Sequence, residues 1–262
     1  MTICIAAVTG NKRVVAVTDK MLTLSAAMVT KYQVAENNKA IPLSKKVLGL
    51  FAGDVVQANE ILSRAKNKIA DTDDVNSAAE KLKEAFCDFR KQVIEDNLLI
   101  RFGLTWDIFV KSQSSLDPNL VAKIAEVLGQ YRVDVQVIIT GVDSTGPHIY
   151  AVGDPGTISC MDSIGYVCIG SGSQHAQLSL IEAKYHAGFD GEDSLMSLFE
   201  AKKRAEFDPG VGDLTDVLLI DGKVRRFTDE ELKLLSDTYS MIQTEKQSIK
   251  HKHLSKLSGI VK

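Results

Sequence analysis

With 262 residues, 45% hydrophobic and 25% charged, the chain is long enough for one large domain or two small ones around a sizeable core. Its net charge of −3 supplies no field that would draw nucleic acid, and no 18-residue apolar run offers a membrane span. The four scattered cysteines (Cys4, Cys87, Cys160 and Cys168) form no CxxC pair, which argues against a zinc site or disulfide framework and for a reducing cytoplasm.

The first residues carry no charged segment ahead of an apolar core and no A-x-A cleavage signal, so they read as mature sequence. A strand begins at once. ICIAAV and RVVAVTD are short apolar strands joined by TGNK, whose Gly-Asn centre suits a tight hairpin. MLTLSAAMVTKYQVAENNKAIPLS is mixed and ends in a strand-like piece, and KKVLGLFAGD is a buried strand. From Val55 to Ile69 the apolar residues recur at helical spacing. After DTDD a second amphipathic helix runs from about Val75 to Ile94, its Asp-rich start matching the helix dipole. Residues 96–133 give a weaker pattern. Asp117-Pro118 there reads as a cap followed by Pro at the first helical position, opening a helix to about Tyr131.

VDVQVIITGVD, HIYAVGD and YVCIGSG then read as strands, the first two linked by the turn residues STGP. Helices are expected at about Gln174–His186 and Gly191–Ala205. TDVLLIDGKVRRFTD is a hairpin turning on Asp-Gly. Thr228 and Glu231 form a capping-box pattern for a last helix to about Glu245. Strands thus come in hairpin-linked clusters and helices in pairs, unlike the strict alternation of a doubly wound sheet. The expected organisation is a single domain over residues 1–246, with an insertion near 96–133. Residues 247–262 form a basic tail, read as a solvated, partly disordered end.

IGSGSQHA followed by a helix has the outline of a dinucleotide-binding turn. The context argues against it, since a second helix follows where a parallel strand with an acid should come. The glycines then serve close helix–strand packing, or Ser171 serves a catalytic site at this helix start. His175 reads as a surface or capping residue, Cys4 and Cys168 as core.

The second residue carries the sharper chemistry. Threonine is small enough for methionine aminopeptidase to remove Met1, which would leave Thr2 with a hydroxyl and a free α-amine. An α-amine has a reference pKa near 7.7–8.0, low enough to act as base for its own hydroxyl. A strand starting at that residue would hold it rigidly.

Taken together, TICIAAV, VVAVTDKMLT, KAIPLSKKVLGLFAGD, IGSGSQHA and FDPGVGDLTDVLLI resemble proteasome-type subunits of the N-terminal-nucleophile (Ntn) hydrolases. The resemblance covers roughly residues 2–230 and is weak around 96–133, where this chain is longer. It implies an α+β fold, a four-layer αββα sandwich. It also implies roles for residues. Thr2 matches the threonine nucleophile, Asp19 the aspartate ending the second strand, and Lys39 the buried lysine. The 14-residue interval from Lys39 to Gly53 is the family's own, whereas Lys31, Lys45 and Lys46 read as more exposed competitors. Gly53 matches the oxyanion-hole glycine and Thr23 a residue whose backbone holds extended substrate. Ser171 matches the serine near the threonine amine, and Asp208 the aspartate in the loop before the late strand. One position departs: the second serine that active members carry three residues after that aspartate is Val211 here.

The resemblance implies an amidohydrolase, first of all a peptidase, acting through an acyl-enzyme on Thr2. Its substrate would be a peptide or small amide. No metal or organic cofactor is expected, nor any nucleic-acid or membrane partner. A cytoplasmic homo-oligomer is the expected assembly, a ring being the family habit. The rival is a non-catalytic scaffold of the same fold, like the α-type subunits. Those carry a helix ahead of the first strand, a segment this sequence lacks.

Overall fold

The computed structural model describes residues 2–10, 12–26, 28–33 and 38–254, side chains of 22–33 excepted. The antiparallel hairpin β1 (Cys4–Val8) and β2 (Val14–Asp19) forms as the TGNK turn predicts. The mixed stretch resolves into a second hairpin, β3 (Met21–Ala26) and β4 (Met28–Gln33), followed by β5 (Ala40–Pro42) and β6 (Val47–Gly53). Next come α1 (Val55–Lys68) and α2 (Val75–Asn97), capped by Asp54 and Asp74, whose carboxylates accept from the backbone N–H of Gln57 and Ser77. The weakly patterned segment is helical: a 3₁₀ turn at Leu99–Phe102, α3 (Trp106–Ser112) and α4 (Pro118–Gln130). Its buried residues Leu99, Phe109 and Ile124 join Ile94 of α2 in a small core of their own.

The chain returns through β7 (Val135–Val142), β8 (Pro147–Gly153), β9 (Thr157–Cys160) and β10 (Tyr166–Ile169), then α5 (Ser173–Glu182) and α6 (Gly191–Ala205). It ends in the hairpin β11 (Thr215–Ile220) and β12 (Val224–Arg226), then α7 (Asp229–Leu254). The capping box at the head of α7 forms reciprocally. Thr228 N–H donates to Glu231 Oε2 at 2.8 Å and Glu231 N–H to Thr228 Oγ1 at 3.2 Å.

Two five-stranded antiparallel sheets result, in the orders β10-β1-β2-β11-β12 and β5-β6-β7-β8-β9. Period-2 alternation splits each strand between two cores. Cys4, Ala6 and Ala16 meet Leu48, Leu50 and Ile138 between the sheets. Phe51, Val137 and Ile139 face α1 and α2 on one outer side. Ile3, Ile5 and Val17 face α5 and α6 on the other. The layers are therefore αββα, the expected α+β sandwich.

Three boundaries differ from expectation. β9 carries exposed and half-buried residues, too little apolar alternation to read as a strand. α5 stops at Glu182 rather than His186 because Lys184 turns left-handed, φ 53°. α7 runs through the expected boundary at 246, since neither Gly nor Pro interrupts it before 254 and Lys and His in its last turn suit the dipole. Residues 255–262 of the tail lie outside the described residues. Among those described, no helix is long and apolar enough to cross a membrane.

Candidate active site

Strand register brings the site together. Cys4 pairs with Thr18 across the first hairpin, so the next step sets Ile3 against Asp19, and the Asp19 N–H donates to the Ile3 carbonyl at 3.2 Å. On the other side of β1, Cys4 pairs with Ile169, which sets the following Ser171 beside Thr2. Thr215 pairs with Asp19 and draws in the loop before β11. From the second sheet come Lys39, just before β5, and Gly53, the last residue of β6.

Asp19 is the hub. It is fully buried, as are Thr2 and Lys39 to within a few per cent. Its Oδ1 accepts from Thr2 Oγ1 at 2.6 Å, Ile3 N–H at 2.9 Å and Lys39 Nζ at 2.7 Å. Its Oδ2 accepts from the N–H groups of Met21 and Gly212, each at 3.1 Å. Lys39 Nζ also donates to Thr2 Oγ1. A buried lysine charge beside its carboxylate is tolerable only when so hydrogen-bonded. A cation donating to a hydroxyl oxygen favours that oxygen's ionised form. The Thr2 N–H donates to Ser171 Oγ at 3.3 Å.

A cleft of about 670 Å³ opens on Thr2, lined further by Gly53, Gly170 and Ser171 and by Arg132, Asp134, Gln136 and Asp154. A smaller recess, floored by Phe51 and Val55, joins Thr2, Lys39 and Gly53. Glycine is required at the rim. Gly53 has φ +109°, and a Cβ there would lie 2.0 Å from the Asp134 carbonyl oxygen. Gly53→Ala should cost about 2–5 kcal/mol through strain and overlap. Gly103→Ala, at φ +69° but in open space, should cost only about 1 kcal/mol. Urea unfolding of the two variants checks the difference.

Sequence comparison finds proteasome β subunits. The chain is 34% identical over 112 residues to proteasome subunit beta 1 of Korarchaeum cryptofilum, covering 41% of this chain and 52% of that protein. It is 33% identical over 92 residues to proteasome subunit beta type-7-B of Arabidopsis thaliana, covering 35% and 32%. It is 33% identical over 104 residues to a proteasome subunit beta of Methanospirillum hungatei, covering 39% and 48%. These relatives support a proteasome-type family for the chain. Its αββα sandwich is accordingly the Ntn-hydrolase fold. The matched stretch spans about half or less of each relative's own length. No family model matches the chain.

The remaining expected residues lie as follows. Asp208 is half-buried, and its carboxylate accepts from Gly210 N–H at 2.6 Å within its own loop, not from Thr2 or Ser171. Val211 is buried, and its Cγ2 fills the space a Cβ on Gly172 would need. It packs with Ala205 and Leu198 in the core under α6. Thr23 pairs with Lys31 across the β3–β4 hairpin; both side chains lie outside the described residues. His175 is exposed at the head of α5, its ring 6.3 Å from that of Phe207. Burial pushes the Cys4 and Cys168 thiols up, Cys168 to about 12, so both stay protonated near neutrality. The GSGSQHA helix follows an antiparallel strand, β10, not the parallel strand of a dinucleotide turn. Sequence reasoning passed over the charged cleft lining, Arg132, Asp134 and Asp154. Its signal was three charges bracketing an otherwise apolar strand pair.

Proposed function

We propose that the chain is a threonine-type Ntn amidohydrolase, a peptidase by its resemblance, that works through an acyl-enzyme on Thr2 once Met1 is removed. The observation that carries this reading is the Thr2 hydroxyl held between Asp19 and Lys39 at the mouth of a cleft. Thr2 Oγ attacks the substrate carbonyl, and the freed α-amine takes its proton, directly or through a water. Lys39, paired with Asp19, supplies the charge that favours the ionised oxygen. The Gly53 N–H stabilises the oxyanion, the kind of contact worth about 3–4 kcal/mol of barrier. Ser171 Oγ stays beside the amine, and the loop of Asp208 backs it. The leaving amine takes the proton, and water then cleaves the ester and restores Thr2. No metal or organic cofactor enters these steps. The backbone at Thr23 would hold an extended peptide as an added strand. Peptide or small amide is the substrate class, and a cytoplasmic homo-oligomer, as a ring, is the assembly this reading expects.

Val211 favours a second reading. A buried valine where active members carry a serine offers the amine no side-chain partner, as a non-catalytic scaffold subunit would allow. One experiment separates the two: the intact mass of the protein with and without an epoxyketone, which bonds to the hydroxyl and amine of one threonine. We expect loss of Met1 and gain of one probe mass, with native mass spectra reading several copies. Retained Met1 and no adduct would hand the chain to the scaffold reading.

A further inference from the structure

Lys202 has none of its surface exposed, although it stands in the basic run Lys202-Lys203-Arg204. It shares the inner face of α6 with Leu198, Ala201 and Ala205. Burying an ammonium is costly, and an apolar side chain of similar volume would cost less there. Lys202 nevertheless has two partners. Its Nζ donates to the Asp213 carbonyl at 2.8 Å and to the Glu206 carboxylate one turn along. Glu206 is itself half-buried and also pairs with Lys203 at 3.0 Å. The residue before Asp213 is Gly212, whose N–H donates to Asp19 Oδ2. Burial pushes the Lys202 ammonium down to about 8, against the opposing pull of Glu206 and Asp19 and with the push of Lys203.

The loop from Asp208 to Leu214 reaches the Asp19 carboxylate through the Gly212 N–H, and its Leu214 carbonyl accepts from the Lys20 N–H at 3.3 Å. Val211 gives it no side-chain link to the Thr2 terminus, and Asp208 bonds within the loop. The Gly212 N–H keeps its aim on Asp19 only if the peptide next to it is fixed. We propose that Lys202 is a positioning residue that clamps this loop through the Asp213 carbonyl, keeping Gly212 on Asp19 and the Thr2 site in register. The clamp's service to catalysis rests on the reading of Thr2 as nucleophile.

The test uses Lys202→Met, which keeps the volume and removes the donor, and Lys202→Gln, which keeps an N–H donor without the charge. Glu206 retains Lys203 in both, so no charge is stranded. Amide hydrogen exchange should quicken at least about tenfold over 208–214 in Lys202→Met, less in Lys202→Gln, and stay unchanged in the strands of both sheets. The first-order constant for epoxyketone labelling of Thr2 should fall about 10–100-fold, with half-saturation by the probe unchanged. Loop exchange equal to the parent's would overturn the clamp. So would acceleration spread evenly over the chain, the mark of plain destabilisation. Faster loop exchange with undiminished labelling would overturn its link to the site. A parent protein that takes no probe defeats the threonine reading instead, and exchange alone then decides the clamp.

Discussion

Thr2→Ala should lose turnover of a fluorogenic peptide amide by on the order of 10⁴-fold or more and take up no epoxyketone. The substitution removes one oxygen, and the rest of the hub survives. Asp19 keeps the N–H donors of Ile3, Met21 and Gly212 and the Lys39 ammonium. The loss in stability should be about 2 kcal/mol, a hydrogen bond to a charged group, which lowers the melting point by only a few degrees. The variant therefore separates chemistry from fold. Turnover near the parent's in a protein that melts normally would mean that some other group attacks the substrate.

Asp19→Ala should do the opposite and strike stability first. The buried Lys39 charge would lose its carboxylate, and four further donors their acceptor. Breaking a buried pair by removing one partner costs about 3–5 kcal/mol. For a chain of this size that is a fall of about 10 °C in melting temperature. Asp19→Asn, which keeps one acceptor oxygen while removing the charge, should fall between parent and alanine variant. Thermal melts of the three proteins give the order directly. An alanine variant within about 1 kcal/mol of the parent would show that Lys39 finds another counter-charge.

Much of this fold was legible because its elements are locally consistent. The hairpin turns at TGNK and DGKV, the apolar period of α1 and α2 and the capping box of α7 each state their own structure. The helix of 106–112 was hard to read because it buries little, Phe109 alone, whereas the Asp117-Pro118 cap announced the helix of 118–130. The β3–β4 hairpin was hidden by a mixed sequence, β9 by exposure. In the site, Thr2, Asp19, Lys39 and Ser171 converge through strand register, which single-residue patterns do not encode; a resemblance singled them out. Lys202 escaped for another reason. It stands in a basic run, yet Leu198, Ala201 and Ala205 lie four before, one before and three after it, spacing that puts it on the apolar stripe.

The hub at Asp19 also has a temporal meaning. Bonds at and around it join residues far apart along the chain: Thr2 to Lys39 over 37 positions, Thr2 to Ser171 over 169, Gly212 to Asp19 over 193. Contacts of such high order form late, after local helices and hairpins, because loop closure must come first. A partly folded chain can thus hold the hydroxyl, the lysine and the carboxylate without having assembled them. On the proposed reading, Thr2 becomes competent as nucleophile only when the segment around Gly212 has closed on Asp19. An active Thr2 would thereby be withheld from every intermediate that has not finished folding.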